Sequence, residues 1–155
     1  MRPIPIQVLP LASSSEGGFI LKAYHDPAGK LTVGLGHLCT ALDHYVLGSI
    51  ITLEHAHDLY LADVSAAAAQ VLHLVKVPLN DNQFASLIDF TFNEGSGRLM
   101  SSTLLRVLNQ GNYAAAATHF AEWNKGLNPH TGLLEVLPGL VTRRAKEAAL
   151  FLATS

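Results

Sequence analysis

The sequence predicts an α+β protein in which a small β-hairpin lobe is joined by one long helix to a larger, all-helical lobe. Three observations lead to this prediction. Asp-Pro-Ala-Gly at residues 26–29 is a strong turn signal between two strand-like runs. A helical repeat of apolar residues then extends for about 22 residues from Thr52. Four shorter helical segments follow it, most of them opened by a capping residue.

The chain length of 155 residues suits one domain, which we divide into three parts. The β lobe is expected at about 17–50 and the connecting helix at about 52–75. The helical lobe is expected at about 80–155, together with a helix from the N-terminal segment.

The N-terminal part begins with that short helix and continues into the hairpin. Residues 4–16 favour a helix that starts near Pro10, because a first turn tolerates proline, and Gly17-Gly18 would stop it. The β-rich runs FILKAYHD and LTVGLGH then flank the turn as partner strands.

The rest of the chain is predicted to be mostly helical. Thr52 is an N-cap for the long helix, and Val77-Pro78 ends it. Asn80 and Gln83 have the spacing of a capping box. Later helices are expected from Ser102, from Asn112 and over GLVTRRAKEAALFLA, with a loop containing Gly126, Pro129, Gly132 and Pro138 before the last.

Composition excludes several classes of protein. With 49% hydrophobic and 14% charged residues and a net charge of −2, we expect a globular protein that does not bind nucleic acid. Residues 1–94 carry four Lys/Arg against nine Asp/Glu, whereas residues 95–155 carry six against three. We interpret the basic excess in residues 95–155 as a helix face exposed to solvent, and a surface for an anionic partner is the alternative.

The N-terminal segment and the single cysteine bear on localisation. Three prolines within the first ten residues leave no uninterrupted apolar core, so we expect neither a signal peptide nor a membrane anchor. Cys39 has no partner for an internal disulfide, which favours folding in a reducing cytoplasm. It is interpreted as a buried apolar side chain rather than a catalytic thiol.

Two carboxylates, Glu16 and Asp26, flank the first predicted strand. Glycosidic hydrolysis uses such a pair, one protonated to donate to the leaving oxygen and one ionised to help a nucleophile. The pair alone is weak evidence, because Asp26 opens a turn in which aspartate is favoured on backbone grounds. Ser13 and Glu16 also have capping-box spacing, although the glycines that follow at once weaken that alternative.

The second strand carries a hydroxyl and two glycines on one face. Thr32 could simply pack, since β-branched residues suit strands. Gly34 and Gly36 lie on the same face as Thr32, and such glycines indicate the close approach of a ligand or of another backbone. This pattern points to a cleft.

No metal site is expected among the eight histidines. His55 and His57 are two positions apart, so on a helix they point in different directions, and no Cys/His spacing matches a zinc site. Trp123 and Tyr113 are interpreted as core residues rather than sugar-binding platforms.

The segment EGGFILKAYHDPAGKLTVGLGH resembles the phage-type lysozymes, which are endolysins. The resemblance continues through PLNDNQFASLIDFTFNEGSG, STLLRVLNQGNY, AEWNKG and LPGLVTRRAKEAALF, in the family's order over nearly the whole chain. It implies a lysozyme-like fold and a muramidase that acts on peptidoglycan. The bond hydrolysed would be the β-1,4 bond between N-acetylmuramic acid and N-acetylglucosamine. No cofactor is implied.

The resemblance also implies roles for three residues. Glu16 matches the catalytic acid, Asp26 the second carboxylate and Thr32 a water-positioning hydroxyl. Glu16 would protonate the glycosidic oxygen while Asp26 and Thr32 hold a water on the opposite face, which would invert the anomeric centre. Whether Asp26 acts as base or nucleophile stays open. Glu16 and Asp26 are ten positions apart, one more than is usual in the family, and the second glycine of Gly17-Gly18 accounts for the difference.

Supporting residues follow from the same resemblance. Arg144 matches an arginine that pairs with the catalytic acid, and His37 and Asp63 match a structural ion pair. Leu38 and Phe92 fall where the family lines its sugar cleft.

Two alternatives stay open at this level. One is a lysozyme-fold protein that binds peptidoglycan, or serves a structural role, without catalysis. The other is an enzyme of this fold that makes an anhydro product, against which the Asp26–Thr32 pair argues. An endolysin is expected to be a monomer from the host cytoplasm that acts in the periplasm or cell wall. It would rely on a separate membrane-permeabilising partner to reach the wall.

Overall fold

The computed structural model describes residues 2–16 and 18–154, and for residues 13–16 it describes the backbone alone. One helix precedes a three-stranded sheet, and a long helix then leads into a helical group that carries a small second sheet. The elements in chain order are α1 (Val8–Glu16), β1 (Ile20–His25), β2 (Leu31–Gly34), β3 (His37–Leu38), α2 (Leu53–Leu74), α3 (Asp81–Glu94), α4 (Ser96–Ser101), α5 (Thr103–Leu108), α6 (Tyr113–Thr118), a 3-10 turn (His119–Glu122), β4 (Lys125–Leu127), β5 (Leu134–Val136) and α7 (Pro138–Leu152).

The predicted hairpin is confirmed in β1 and β2, which pair antiparallel with Tyr24 opposite Thr32. The turn between them closes through backbone hydrogen bonds. The Asp26 N–H donates to Lys30 O at 2.9 Å, and the Gly29 N–H donates to Asp26 O at 2.8 Å. Gly29 has φ of 78°, the left-handed conformation for which glycine is favoured in such a turn. This turn holds Asp26 at the edge of the sheet.

The prediction of one continuous strand over LTVGLGH is wrong. The structure divides this run into β2 and β3, because Gly34 and Gly36 have φ of 68° and 76° and so leave the extended conformation. A Cβ on Gly34 would lie 3.5 Å from Ala56 Cβ, so the close neighbour of this glycine is α2. Gly36 instead lines a cavity described below.

Helix α2 connects the two lobes. Its N-cap is Thr52, whose hydroxyl accepts from the His55 N–H at 3.1 Å. Near its start Ala56 packs in the small core of the β lobe, and from Tyr60 to Val71 its buried face belongs to the large core. The helix is therefore shared by both cores.

Helix α3 lies at the centre of the helical lobe, between α2 and α7. It begins with the predicted capping box, in which Asn80 Oδ1 accepts from the Gln83 N–H and Gln83 Oε1 from the Asn80 N–H. Most of its length is buried, and three aromatic rings (Phe90, Phe120 and Trp123) meet edge to face beside it. Trp123 and Tyr113 pack against this core, as the sequence predicts.

Two other predictions need correction. Helix α1 begins at Val8 rather than near Pro10, so the proline lies within the first turn. The predicted loop after Trp123 contains a second hairpin, β4–β5, in which Gly126 pairs with Glu135. Its strands are too short to show an alternating pattern in sequence.

Cys39 is partly buried and packs against the small core, and burial raises the pKa of its thiol. None of the helices described is both long and apolar enough to cross a membrane. Among the described residues, no three His, Cys, Asp or Glu side chains are grouped as a metal site would require.

Candidate active-site cleft

A groove runs between the β lobe and helices α2 and α3. It consists of two adjoining cavities of about 370 Å³ and 290 Å³, which share Gly36, Leu38 and Phe92. The larger cavity is also lined by Tyr24, Asp26, Pro27, Lys30, Thr32 and Asn93. The smaller cavity is also lined by Asp63, Ala66, Ala67, Gln70, Thr91 and Ser96.

Asp26 lies on the β1–β2 turn and lines the larger cavity. Its Oδ1 accepts two backbone hydrogen bonds, from Ala28 N at 2.9 Å and from Lys30 N at 2.8 Å. No hydrogen bond from a described residue reaches Oδ2. The carboxylate therefore holds the turn through one oxygen and keeps the other as an acceptor.

Thr32 lies on β2 and lines the same cavity, with 5% of its surface exposed. Its hydroxyl donates to Lys30 O at 3.1 Å. Since that bond uses the hydroxyl hydrogen, the Thr32 oxygen remains an acceptor for a hydrogen from a molecule in the cavity. The structure thus brings Asp26 and Thr32 together on one cavity wall.

Glu16 is the last residue of α1, and β1 begins at Ile20 after a short connection. Its side chain, like Gly17, lies outside the described residues. The catalytic role predicted for Glu16 and the effect of the second glycine therefore stay predictions.

Leu38 and Phe92 line both cavities from opposite lobes. Leu38 on β3 is half exposed, and Phe92 on α3 packs edge to face on Tyr60 with ring centroids 5.7 Å apart. Together they give apolar surface to the part of the groove that the two cavities share.

The sequence matches one family of known proteins. Residues 14–147, most of the chain, match Phage lysozyme. The chain belongs to the phage lysozyme family. It is therefore a glycoside hydrolase of the lysozyme type.

Individual relatives agree with this membership. The chain is 37% identical to an endolysin of Acyrthosiphon pisum secondary endosymbiont phage 1, over 86% of this chain and 88% of that one. It is 39% identical to an endolysin of Salmonella phage P22, over 89% and 90% of the two chains. The solved endolysin from Escherichia coli O157:H7 phage FAHEc1 superposes with a TM-score of 0.85 at 32% identity, covering 97% of this chain and 94% of that one. The predicted lysozyme-like fold is confirmed.

In this lysozyme, His37 joins β3 to α2. Its Nδ1 lies 2.8 Å from Asp63 Oδ2, and its Nε2 lies 3.6 Å from Asp43 Oδ2. The backbone N–H and the hydroxyl of Thr40 bind Asp43 and lower its pKa. Asp43 is not among the residues predicted from the sequence, although the Thr40-x-x-Asp43 spacing is a local signal for this contact.

Arg144 is buried, with 1% of its side chain exposed. Its guanidinium donates to Asn93 Oδ1 at 2.9 Å, Glu94 Oε1 at 3.1 Å and Glu147 Oε1 at 2.7 Å. Asn93 in turn lines the cavity. Any contact of Arg144 with the Glu16 side chain lies outside the described residues.

The partners of Arg144 on α3 and α7 are not among the residues predicted from the sequence. Arg144 and Glu147 are three positions apart on α7, a spacing that indicates contact on a helix. Asp89 binds Arg143 through both carboxylate oxygens, at 3.0 and 2.9 Å, across 54 positions of sequence. No local pattern could have found that pair.

Proposed function

We propose that this chain is an endolysin muramidase, which hydrolyses the β-1,4 bond between N-acetylmuramic acid and N-acetylglucosamine in bacterial peptidoglycan and so lyses the cell wall. Membership of the phage lysozyme family and similarity to endolysins support this function. The observation that carries it is the pair Asp26 and Thr32 on one wall of an interlobe cavity. None of the observations favours a protein that only binds peptidoglycan.

The geometry of Asp26 and Thr32 suits the placement of a nucleophilic water. Such a water uses a lone pair to attack the anomeric carbon, and its two hydrogens need acceptors. Asp26 and Thr32 line the same cavity, and each keeps an oxygen that can accept, since Asp26 uses Oδ1 in the turn and the Thr32 hydrogen is donated to Lys30 O. We assign Asp26 and Thr32 to holding this water and Asp26 to taking its proton.

Glu16 is assigned the role of the general acid that protonates the leaving oxygen. With the acid and the water on opposite faces of the sugar, the reaction inverts the anomeric centre. Leu38 and Phe92 offer apolar surface to the glycan where the two cavities join. The His37–Asp63 contact and Arg144 serve as the scaffold around these groups.

The experiment that tests this proposal compares Glu16→Gln with the wild type on purified peptidoglycan. The variant is expected to fold normally and to release reducing ends at least about 100-fold more slowly, because general acid catalysis is lost. Asp58→Asn, on an exposed part of α2, is the matched carboxyl control and should keep the wild-type rate. A wild-type rate in Glu16→Gln would contradict the assignment of the acid.

The products of the wild-type enzyme test the reaction type. Inversion of a β-linked glycan yields the α anomer first, which proton NMR detects before mutarotation. First formation of the β anomer would assign Asp26 as a nucleophile instead. Mass spectrometry that finds anhydro ends without reducing ends would contradict hydrolysis altogether.

The site of action is the cell wall, and we propose that a monomer made in the host cytoplasm reaches it through a membrane lesion made by a separate partner. Cells expressing the protein alone should keep growing and should lyse within minutes once chloroform opens the inner membrane. Lysis without that treatment would contradict the need for a partner.

A further inference from the structure

Asn93 connects the larger cavity to the interior of the helical lobe. It lies in the last turn of α3 and lines the cavity together with its neighbour Phe92. Its Oδ1 accepts a hydrogen bond of 2.9 Å from Arg144 Nη2, which comes from α7 across 51 positions of sequence. One atom of the Asn93 amide is therefore already occupied by the protein.

This hydrogen bond also determines which way round the Asn93 amide lies. A half-turn of an asparagine amide exchanges its oxygen and its nitrogen, and the hydrogen-bond partners decide between the two orientations. A guanidinium has five N–H donors and no acceptor, so only the amide oxygen can bind it. The nitrogen of Asn93 is consequently the atom of the amide that is turned away from Arg144.

Arg144 suits the task of holding this orientation because it has little freedom to move. Its side chain is 1% exposed, and it donates to Glu94 Oε1 at 3.1 Å and to Glu147 Oε1 at 2.7 Å. Its guanidinium carbon lies 5.0 Å from the centre of the Phe90 ring. Glu94 is held in turn by Arg98. The guanidinium is thus fixed before any ligand arrives.

The nitrogen of Asn93 keeps both of its hydrogens for a ligand. Nδ2 forms no hydrogen bond with a described residue, and it is not among the fully buried polar atoms that lack a partner. Solvent therefore reaches it. Because Asn93 lines the larger cavity, we infer that its N–H groups are offered to a molecule bound there.

The surroundings of Asn93 indicate which chemical group suits this donor. Lys30 and Tyr24 of the β1–β2 hairpin also carry donors in the larger cavity, but Asn93 is the one that directly follows an apolar ring, Phe92, on the same helix. A donor beside apolar surface suits an acetamido group. The carbonyl oxygen of that group accepts a hydrogen bond, whereas its methyl group packs on apolar atoms.

We propose that Asn93 binds the carbonyl oxygen of an N-acetyl group of the glycan, and that Arg144 is the positioning residue that keeps the N–H groups of Asn93 available to it. The identity of the glycan rests on the proposed function. Arg144 thereby acts on substrate recognition through Asn93 and not on the bond that reacts. Its effect belongs in KM and in the selectivity for N-acetylated glycan.

Selectivity for N-acetylated glycan tests the role of Asn93. Wild type and Asn93→Leu are compared on purified peptidoglycan and on the same peptidoglycan after partial de-N-acetylation, by the initial release of reducing ends. The variant should raise KM on the intact substrate and reduce the ratio of the two kcat/KM values about 3- to 10-fold, because one hydrogen bond is lost. A wild-type ratio in Asn93→Leu would overturn the proposal.

Further variants separate the donor from charge and test the positioning role. Asn93→Asp keeps an acceptor for Arg144 but replaces the N–H groups by an oxygen, so it should lose selectivity as Asn93→Leu does. Asn112→Asp adds the same charge at the exposed N-cap of α6, where aspartate also caps, and should keep the wild-type ratio. Arg144→Lys should lower the ratio in the wild-type background and leave it unchanged beside Asn93→Asp, which has no N–H group to position. An equal effect in both backgrounds would overturn the positioning role.

Nuclear magnetic resonance tests the binding site without any activity. A trimer of N-acetylglucosamine should shift the side-chain amide signals of Asn93, which are assigned by their loss in Asn93→Asp, and a trimer of glucosamine should leave them in place. Unmoved signals, or equal shifts with both trimers, would overturn the proposal. A wild-type protein that shows the expected shift but releases no reducing ends would instead overturn the proposed function and leave the binding site standing.

Discussion

At the scale of single residues, Asp26 divides its two carboxylate oxygens between structure and chemistry. Oδ1 accepts from the Ala28 and Lys30 N–H groups and holds the turn, while Oδ2 keeps its capacity to accept, and Asp26 lines the larger cavity together with Thr32. If Asp26 only formed the turn, asparagine would serve equally well at this position, because its amide oxygen can accept the same two backbone hydrogen bonds. Replacing Asp26 by asparagine therefore distinguishes a turn former from a catalytic carboxylate, the two interpretations that the sequence leaves open.

Asp26→Asn is expected to keep the turn and lose the activity. The amide oxygen can still accept both backbone hydrogen bonds, but an amide cannot take a proton from water. Urea unfolding should give nearly the wild-type midpoint, with hydrolysis slowed at least about 100-fold. Asp26→Ala should lose stability as well, by about 1 kcal/mol. Substantial hydrolysis by Asp26→Asn would show that Asp26 is a turn former alone.

Glu147 should also make stability depend on pH. Its pKa is raised in the folded state above 4.5, so the folded protein holds a proton that the unfolded chain releases. The stability contributed by this proton is fully present below pH 4.5 and is lost as pH rises through the folded pKa. Relative to Glu147→Gln, the wild type should lose about 1.4 kcal/mol per pH unit within that window. Urea unfolding of both proteins from pH 5 to 8 measures it, and parallel curves would contradict it.

At the scale of elements, α3 organises the helical lobe because it is buried on nearly all sides between α2 and α7. A helix in that position must begin at a defined residue, since a shift would move Phe92 and Asn93 at its far end relative to the cleft. The capping box at Asn80 fixes that beginning.

Asn80→Ala should therefore destabilise the protein by about 1 kcal/mol through the loss of the N-cap. Asn80→Ser is the matched variant, because serine also caps helices and should restore most of the stability. Chemical denaturation compares the three proteins. Equal stability of the alanine and serine variants would exclude a capping role for this side chain.

Local and distant interactions differ in how well the sequence reveals them. The hairpin turn at Asp26 and the Thr52 cap are formed by residues a few positions apart, so their chemistry is visible in sequence. The break of the second strand at Gly34 depends on α2, whose Ala56 approaches it from a distant part of the chain. The sequence predicted a close neighbour there, but not that the neighbour was a helix.

The candidate active site also combines local contacts, which the sequence reveals, with distant contacts, which it does not. The placement of Thr32 opposite Tyr24 follows from the turn, so Asp26 and Thr32 could be predicted to share a wall. The pairing of Asp89 with Arg143 requires α3 and α7 to pack, and no spacing in the sequence encodes it. Likewise, β4 and β5 pair over only three residues each, too few for a pattern to form.

At the scale of the whole molecule, charge is distributed unevenly. Net charge is −2, with the acidic excess in residues 1–94 and the basic excess in residues 95–155. The residues that line the cleft lie between Tyr24 and Ser96, almost all of them in the acidic stretch. A net negative protein is repelled by an anionic wall at low ionic strength.

Initial rates on peptidoglycan are therefore expected to rise as ionic strength increases from about 0.01 to about 0.15 M, because salt screens this repulsion. A double variant of two exposed acids on α2, Glu54→Gln with Asp58→Asn, should show a weaker rise. Turbidity assays at matched protein concentration measure both. A rate that falls steadily with salt would mean that attraction by the basic half dominates.

The two cores that share α2 differ greatly in extent. Among the described residues, the small core contains only Ala23, Val33, Ile51 and Ala56 as buried apolar residues, whereas the large core extends through α2, α3 and α5 to α7. The free energy of unfolding increases with the apolar surface that is buried, so the β lobe should unfold more readily than the helical lobe. Amide hydrogens of β1 and β2 should then exchange through partial unfolding, while those of α3 stay protected. The lobe that carries Asp26 and Thr32 would thus be the first part cut by a protease, and one cut there could end activity while the helices remain folded.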